Sequence, residues 1–406
     1  MAPHDIAVIF LDIVIMLSIA LSFGHLMRRL HIPSIVGELI GGIVIGPTVL
    51  GRLSPNAYDW LFPNVGPAYM GIDVLTQICV LFFLFFVGLE VDIGMIKKRL
   101  YNIAWTSLMG IALPFVLGFS LVILSPQLWG GHAQSMLKLL ALFIGTAFSI
   151  SALPVIARML KDMGLLKTDT GMIVMGVATI NDLVGWSLFT LVLNEFAYRD
   201  VPGLSPYTSF IVVLLTLMFL LMAGRVLAQK ALQWLKPCSA CYMGLAMVFM
   251  LLAVVIVELM GIHAAFGAFM AGAAFSRGSD KRIEANDMLS RLVMCFFAPI
   301  YFVSIGLRAD FFKSFDLLLA AATLLMACAG KVIGATLGAK ISGLPSRQAA
   351  AIGIALNSRG AMEMVLARVA RDAGLIDDRI FVALIIMAVI TSIISGPMIK
   401  RLVTAE

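Results

Sequence analysis

Along its length the chain alternates between long apolar runs and short breaks of charged residues, proline and glycine. Thirteen apolar runs can be drawn, near residues 5–28, 34–50, 73–90, 102–124, 136–161, 169–195, 207–234, 240–260, 262–277, 287–307, 314–341, 345–371 and 377–400. Most approach the ~20 residues that a hydrocarbon core of ~30 Å demands of a crossing helix. The pattern predicts an all-α integral membrane protein of about 13 transmembrane helices. The run at 262–277 is short and also reads as a re-entrant hairpin, which would make the number of crossings even.

Composition agrees. The chain is 61% hydrophobic and 13% charged, whereas soluble domains are roughly half apolar and about a quarter charged. With thirteen crossings, one set of loops carries Arg28, Arg29, Lys97, Lys98, Arg99, Arg158, Lys161, Lys167, Arg225, Lys230, Lys236, Arg277, Lys281, Arg282, Arg291, Lys340, Arg347, Lys400 and Arg401, nineteen in all. The opposite set carries seven: Arg52, Arg199, Arg308, Lys313, Arg368, Arg371 and Arg379. The positive-inside bias puts the N-terminus outside and the C-terminus in the cytoplasm. The net charge of +6 therefore belongs to one membrane face, and no nucleic-acid partner is expected. The first residues lack a basic region ahead of the apolar run, so a cleaved signal peptide is not expected and the first span stays. Five cysteines, mostly inside spans, imply no disulfide framework, and Cys238 and Cys241 lack a second Cys or His pair to complete a metal site.

The chain also repeats itself. Residues 155–166 match 365–376 at six of twelve positions without a gap, and Gly88 to Asp92 echoes Gly306 to Asp310, as Gly41 and Gly46 echo Gly267 and Gly272. Each pair of echoes lies seven spans apart, so the two copies run oppositely through the bilayer. Repeat one covers 5–195, repeat two 240–400, and the span at 207–234 links them. Inverted repeats of this kind mark many secondary transporters, because two similar halves in opposite orientations supply two access states of comparable energy.

Two spans at equivalent repeat positions look interrupted. In 136–161 the hydroxyls of Thr146, Ser149 and Ser151 precede Pro154, and in 345–371 Asn357, Ser358, Arg359, Gly360 and Glu363 fall at mid-span. Unwound backbone at that depth is tolerated only inside protein or beside a water-filled cavity, with half-helix ends presenting carbonyls to cations and amides to anions. Asp182 lies thirteen residues into the 169–195 span, about 20 Å deep at ~1.5 Å per residue. A charge there costs at least ~2.5–3.5 kcal/mol. The 210-residue offset of the repeat takes Asp182 to Ser392, Arg359 to Ser149 and Glu363 to Leu153, so the fold itself asks for none of these charges. Lys331 is a further deep cation and a partner for the Asn181–Asp182 region. Glu38, Glu90, Glu258 and Lys138 lie near span ends and read as interfacial, and Asp12 as a dimer contact or part of a capped polar network. The Phe-rich stretch 82–86 reads as packing or lipid-facing surface.

Three stretches carry a family resemblance: Val36 to Pro47 (VGELIGGIVIGP), Phe86 to Asp92 (FVGLEVD) and Ser149 to Arg158 (SISALPVIAR). Together with Asn181-Asp182 they resemble the monovalent cation/proton antiporter superfamily, in the branch of bacterial sodium or potassium/proton antiporters and plant cation/proton exchangers. The resemblance covers nearly the whole chain. It implies that Asp182 binds cation and proton alternately, that Asn181, Thr146, Ser149 and Ser151 complete the site, and that Lys331, Arg359 and Glu363 are supporting charges. It further implies a homodimer in a bacterial inner membrane, working as an elevator: a core of spans 4–6 and 11–13 moves against a panel of spans 1–3 and 8–10.

The cargo is Na+ or K+, with Li+ a further candidate, exchanged for H+. No cofactor, transition metal or enzymatic activity is expected, and no HExxH, GxSxG or P-loop motif occurs. A gated cation efflux channel and a non-transporting membrane sensor are the alternatives on the same scaffold. Asn181 has no proton to give, which favours one cation per proton, but release of a proton from Lys331 would make the exchange electrogenic; relatives with Asn-Asp commonly have Arg at that position, which could not release one. The chain stops at Glu406, directly after the last span, so an appended nucleotide-binding regulatory domain is not expected.

Overall fold

The computed structural model describes residues 3–30, 32–63, 65–89, 99–130, 136–166, 168–197, 239–259, 264–275, 283–307 and 310–403, with the isolated positions 215, 219, 222, 224, 226 and 230. Most of the expected linker span 207–234, Glu90 to Asp92, Cys238 and Arg308 lie outside these residues.

The described residues fold as helices: α1 (Pro3–Arg29), α2 (Ser34–Ile45), α3 (Leu50–Leu53), α4 (Pro55–Leu61), α5 (Pro67–Leu89), α6 (Leu100–Leu124), α7 (Leu137–Ser149), α8 (Leu153–Asp162), α9 (Asp169–Ala197), α10 (Ser239–Leu259), α11 (Ala264–Ala274), α12 (Ile283–Leu292), α13 (Ala298–Leu307), α14 (Phe311–Ser314), α15 (Leu317–Ile341), α16 (Ser346–Leu356), α17 (Ala361–Asp372) and α18 (Asp378–Val403). A π-helical turn, Val293–Phe297, joins α12 to α13. Among the described residues, nine helices are long and apolar enough to cross a membrane. Where the sequence suggests a short run at 262–277, α11 is a helix of eleven residues, and Ala265 to Ala274 are all buried.

The chain divides into two compact units, residues 1–91 with 212–313 and residues 92–211 with 314–406. In the first unit, α2 crosses α13 and α5 crosses α11, each through a pair of glycines. A Cβ on Gly42 would lie 2.1 Å from the Val303 carbonyl oxygen and 3.1 Å from Gly306 Cα; one on Gly272 would lie 2.0 Å from the Phe85 carbonyl oxygen and 3.0 Å from Gly88 Cα. Only hydrogen fits between these backbones, which is how helices that cannot gain hydrophobic energy against lipid gain packing energy against each other. The phenylalanine run contributes at the same place: Phe83, Phe85 and Phe86 are buried, with Phe83 edge-on to Phe302 at 5.2 Å between centroids. One acidic residue departs from the expectation. Glu38, expected at the interface, is only 7% exposed, because α2 presses its flank against α1, where Gly37 meets the Phe23 backbone. Asp12 is 1% exposed, with Oδ1 unpartnered among the described residues.

Gly272→Ala is expected to lower stability by at least ~1–3 kcal/mol, because the clash is with backbone rather than with a side chain that can turn away. Gly244→Ala in α10 meets nothing within 4 Å and is expected to be neutral or to add ~0.5–1 kcal/mol through helix propensity. Melting temperatures of the two variants in detergent check the contrast.

The second unit is organised around α15. Gly330, Gly334 and Gly338 recur every fourth residue and let α6 lie directly on it, with would-be Cβ atoms 2.8 Å from Pro114 Cα, 2.5 Å from the Met109 oxygen and 2.4 Å from the Trp105 oxygen. The N-terminus of α15 is capped by Asp316, whose side chain accepts the Leu319 amide at 3.0 Å and bonds Arg379 at the start of α18. Those partners, the Leu319 amide foremost, hold the Asp316 carboxyl below the usual range. An apolar cluster of Ile103, Ile156, Val174, Val177, Ile352 and Leu356 joins α6, α8, α9 and α16.

Candidate functional site

Two helical pairs in the second unit are interrupted, and their interruptions meet. α7 ends at Ser149, Ile150 turns to extended backbone (φ −73°, ψ 148°), and α8 begins at Leu153, with Pro154 in its first turn, where no backbone donor is missed. α16 ends at Leu356 and α17 begins at Ala361. The Ala152 amide donates to the Ser358 carbonyl at 3.2 Å and the Ser151 hydroxyl to the Leu356 carbonyl at 3.0 Å, so each break satisfies part of the other. Ile150 also packs on α9 at Gly185, where a Cβ would come within 2.3 Å of it. That contact brings the first break beside Asn181 and Asp182.

A broken helix leaves its last carbonyls without intrahelical donors and carries partial negative charge at that end. At α7 two side-chain cations fill this role. Arg359 donates to the Ala147 carbonyl at 2.8 Å and the Phe148 carbonyl at 2.6 Å, and Lys331 donates to the Ser149 carbonyl. Arg359 also pairs with Glu363 at 3.1 Å, reaches the Ala327 carbonyl at 3.4 Å and lies 5.8 Å from the Phe148 ring centroid. Both partners of the ion pair are buried, at 0% and 2% side-chain exposure. Glu363 keeps one oxygen, Oε2, without a partner among the described residues.

Asp182 is completely buried, and neither of its carboxylate oxygens has a hydrogen-bond partner among the described residues. The groups that bear on it electrostatically are the Lys331 ammonium and the Leu153 amide, at the N-terminus of α8. Its neighbour Asn181 is fully engaged. With its oxygen accepting from Lys331 Nζ at 2.9 Å and its nitrogen donating to the Val177 carbonyl at 3.3 Å, both ends of the amide are matched. Lys331 donates in addition to the Gly110 carbonyl at 3.1 Å.

Of the residues singled out in the sequence, Asp182, Asn181, Ser149, Ser151 and Lys331 gather around the first break, while Arg359 and Glu363 join it to the second. Ser151 Oγ lies 3.3 Å from the Asn181 amide. Ser149 donates its hydroxyl to Gly145 at 2.8 Å and Ile111 at 3.0 Å, and Thr146 bonds Leu142 within its own helix at 2.8 Å. These hydroxyls keep oxygen lone pairs to offer a cation. Sequence reasoning missed two participants. The Gly110 carbonyl carries no side-chain sign, and Ser392, which donates to the Arg359 carbonyl, was visible only as the repeat counterpart of Asp182. Among the described residues no three His, Cys, Asp or Glu side chains cluster as a metal site.

Comparison with known proteins agrees with this architecture. The family model described as sodium/hydrogen exchanger, transmembrane, matches residues 13–405. The chain is 32% identical to cation/H(+) antiporter 17 of Arabidopsis thaliana over 98% of its own length and 48% of the plant protein, so it spans about half of that relative. It is 30% identical to the Na(+)/H(+) antiporter NhaS4 of Synechocystis, covering 100% of this chain and 99% of the relative. Its fold is similar to that of the sodium proton antiporter MjNhaP1 of Methanocaldococcus jannaschii, with a TM-score of 0.66 at 13% identity over 98% of this chain and 96% of the other. The interrupted helices and the buried aspartate therefore belong to an integral membrane protein of the sodium/hydrogen exchanger family, within the monovalent cation/proton antiporter superfamily.

Proposed function

We propose that the chain is a secondary antiporter that exchanges a monovalent cation, Na+ or K+ with Li+ a further candidate, for H+, and that Asp182 binds the two alternately. The observation that carries the reading is Asp182 itself: a fully buried carboxylate with both oxygens unpartnered among the described residues, at the meeting point of two helix breaks. A buried charge is strongly unfavourable unless something compensates it. A proton and a dehydrated cation each do so, and they cannot both occupy the same oxygens, which is the basis of exchange. Relatives named as cation/H(+) and Na(+)/H(+) antiporters support the reaction class.

The finer picture is an elevator with 13 spans, built as an inverted repeat and paired as a homodimer in a bacterial inner membrane, N-terminus outside and C-terminus cytoplasmic. The division into two compact units supports a moving core and a panel. Two features support the repeat. The crossing of α2 on α13 and that of α11 on α5 are built alike, each bringing a glycine against a second glycine and the carbonyl three residues before it, and Ser392 bonds the second break much as Asp182 faces the first.

Purified protein in liposomes with an internal pH dye tests the reaction. Adding NaCl, KCl or LiCl in turn should dissipate an imposed ΔpH saturably for at least one cation. Cation flux indifferent to ΔpH would make the protein a channel, and no flux of either ion would make it a sensor.

A further inference from the structure

We propose that the second break holds a cation subsite of its own: a partly dehydrated alkali cation sits at the C-terminus of α16, beside Asn357 and Ser358, on its way to or from Asp182. Its place in transit rests on the exchange reaction proposed above.

The two broken helices end alike but are neutralised differently. Each leaves its last carbonyls without intrahelical donors and a partial negative charge at that end. At α7 two side-chain cations, Arg359 and Lys331, answer that charge. At α16 the donors among the described residues are neutral. The Asn357 amide serves the Gly353 and Ile354 carbonyls at 3.2 Å each, the Ser358 amide the Ala355 carbonyl at 3.2 Å, and the Ser151 hydroxyl the Leu356 carbonyl at 3.0 Å. The carbonyls are bonded, but the helix end keeps its negative charge.

Two buried oxygens stand at that end without a partner. Asn357 is 8% exposed and Ser358 0%, and neither Asn357 Oδ1 nor Ser358 Oγ has a hydrogen bond among the described residues. Asn357 turns its other amide atom, Nδ2, to Cys328 Sγ on α15 at 3.4 Å, which fixes the side chain and leaves the oxygen free. Hydroxyls elsewhere in the same unit are not left idle: Thr146, Thr190, Thr323, Thr391 and Ser395 each donate to the carbonyl four residues before. Buried polar atoms without partners are few and costly in native proteins. Two on consecutive residues, at a negatively polarised helix end, suit a dehydrated cation, which needs oxygen acceptors and no donors. Arg359 follows Ser358 directly, but its guanidinium is committed to the α7 carbonyls and paired with Glu363 at 3.1 Å, so that pair adds no net charge beside the subsite.

Ser151 links the subsite to Asp182. Its hydroxyl donates to the last carbonyl of α16, and its oxygen lies 3.3 Å from the amide of Asn181, the neighbour of Asp182. A cation moving across Ser151 exchanges neutral oxygens for a carboxylate. The attraction of a full opposite charge is absent at the second break, so the cation is held there more weakly than at Asp182 and leaves readily.

The test removes the exchange site first. Purified Asp182→Asn is titrated with NaCl or KCl against choline chloride at equal concentration, and the melting temperature is followed. For at least one of the two cations the variant should keep a saturable rise over choline. Adding Ser358→Ala, or separately Asn357→Leu, should raise the half-saturating concentration about tenfold or more, the scale of one lost ligand. In choline chloride Ser358→Ala should melt no lower than its parent, because it deletes a hydroxyl that has no partner to lose. Ser358→Ala carries the test if Asn357→Leu does not fold, and Asp182→Ser replaces Asp182→Asn on the same ground. No cation-specific rise in Asp182→Asn, or a rise unchanged by both second substitutions, overturns the inference and leaves the two oxygens to water alone. A wild-type protein that shows the rise but exchanges nothing in liposomes would instead remove the antiport reading and leave a cation site without transport.

Discussion

Asp182→Asn is expected to abolish cation-driven proton flux, to below a tenth of wild type, while the protein remains folded. The substitution keeps size and shape but removes both the charge that binds a cation and the site that carries a proton. Its effect on stability should have the opposite sign from its effect on function. The carboxylate of Asp182 is buried without a hydrogen-bond partner among the described residues, and although the Lys331 ammonium bears on it, it carries a desolvation cost that a neutral isostere avoids. The melting temperature of the variant should therefore equal or exceed that of wild type. Flux in liposomes and thermal unfolding of the same preparation measure both, and residual flux above a tenth would take Asp182 out of the mechanism.

Arg359→Met is expected to produce the largest loss of stability among single changes at the site. The substitution removes the donors to the Ala147 and Phe148 carbonyls and leaves Glu363 buried without its ion-pair partner, the Lys331 charge alone bearing on it. Breaking a buried ion pair from one side typically costs ~3–5 kcal/mol, whereas replacing both partners by apolar groups of similar volume is far milder. The double variant Arg359→Met/Glu363→Leu should therefore be more stable than Arg359→Met alone, though not fully restored, because the α7 carbonyls still lack their donor. Thermal or denaturant unfolding in detergent measures the order of the three proteins. An Arg359→Met variant as stable as wild type would mean that the helix end is satisfied in some other way.

Much of this arrangement was visible in the sequence, for physical reasons that also mark where visibility ends. Side chains that are expensive in lipid declare themselves by depth, which makes Asp182, Lys331, Arg359 and Glu363 conspicuous in the sequence alone. Breaks declare themselves by chemistry, as Pro154 with its preceding hydroxyls and the run from Asn357 to Gly360 did. Backbone acceptors do not. Nothing in the sequence distinguishes the Gly110 carbonyl from any other, yet it is one of three oxygens that hold Lys331. Nor does spacing reveal that Arg359 reaches back across some two hundred residues to cap α7. Nor do the fourth-residue glycines of α15 stand out in the sequence; only the backbone approach reveals α6 as their close partner. Glu38 was misread for a related reason: position near a span end predicts reach to the interface only if no neighbouring helix covers that face, and α1 covers it.

The central claim is that one carboxylate takes cation and proton in turn, and the most direct measurement is proton release on cation binding. Concentrated purified protein in weakly buffered detergent solution, with a pH indicator, is given saturating chloride salt of the preferred cation at a pH where Asp182 is protonated. Wild type should release one proton per chain, and Asp182→Asn should release none. Cation binding without proton release in wild type, or undiminished release from Asp182→Asn, would contradict the account.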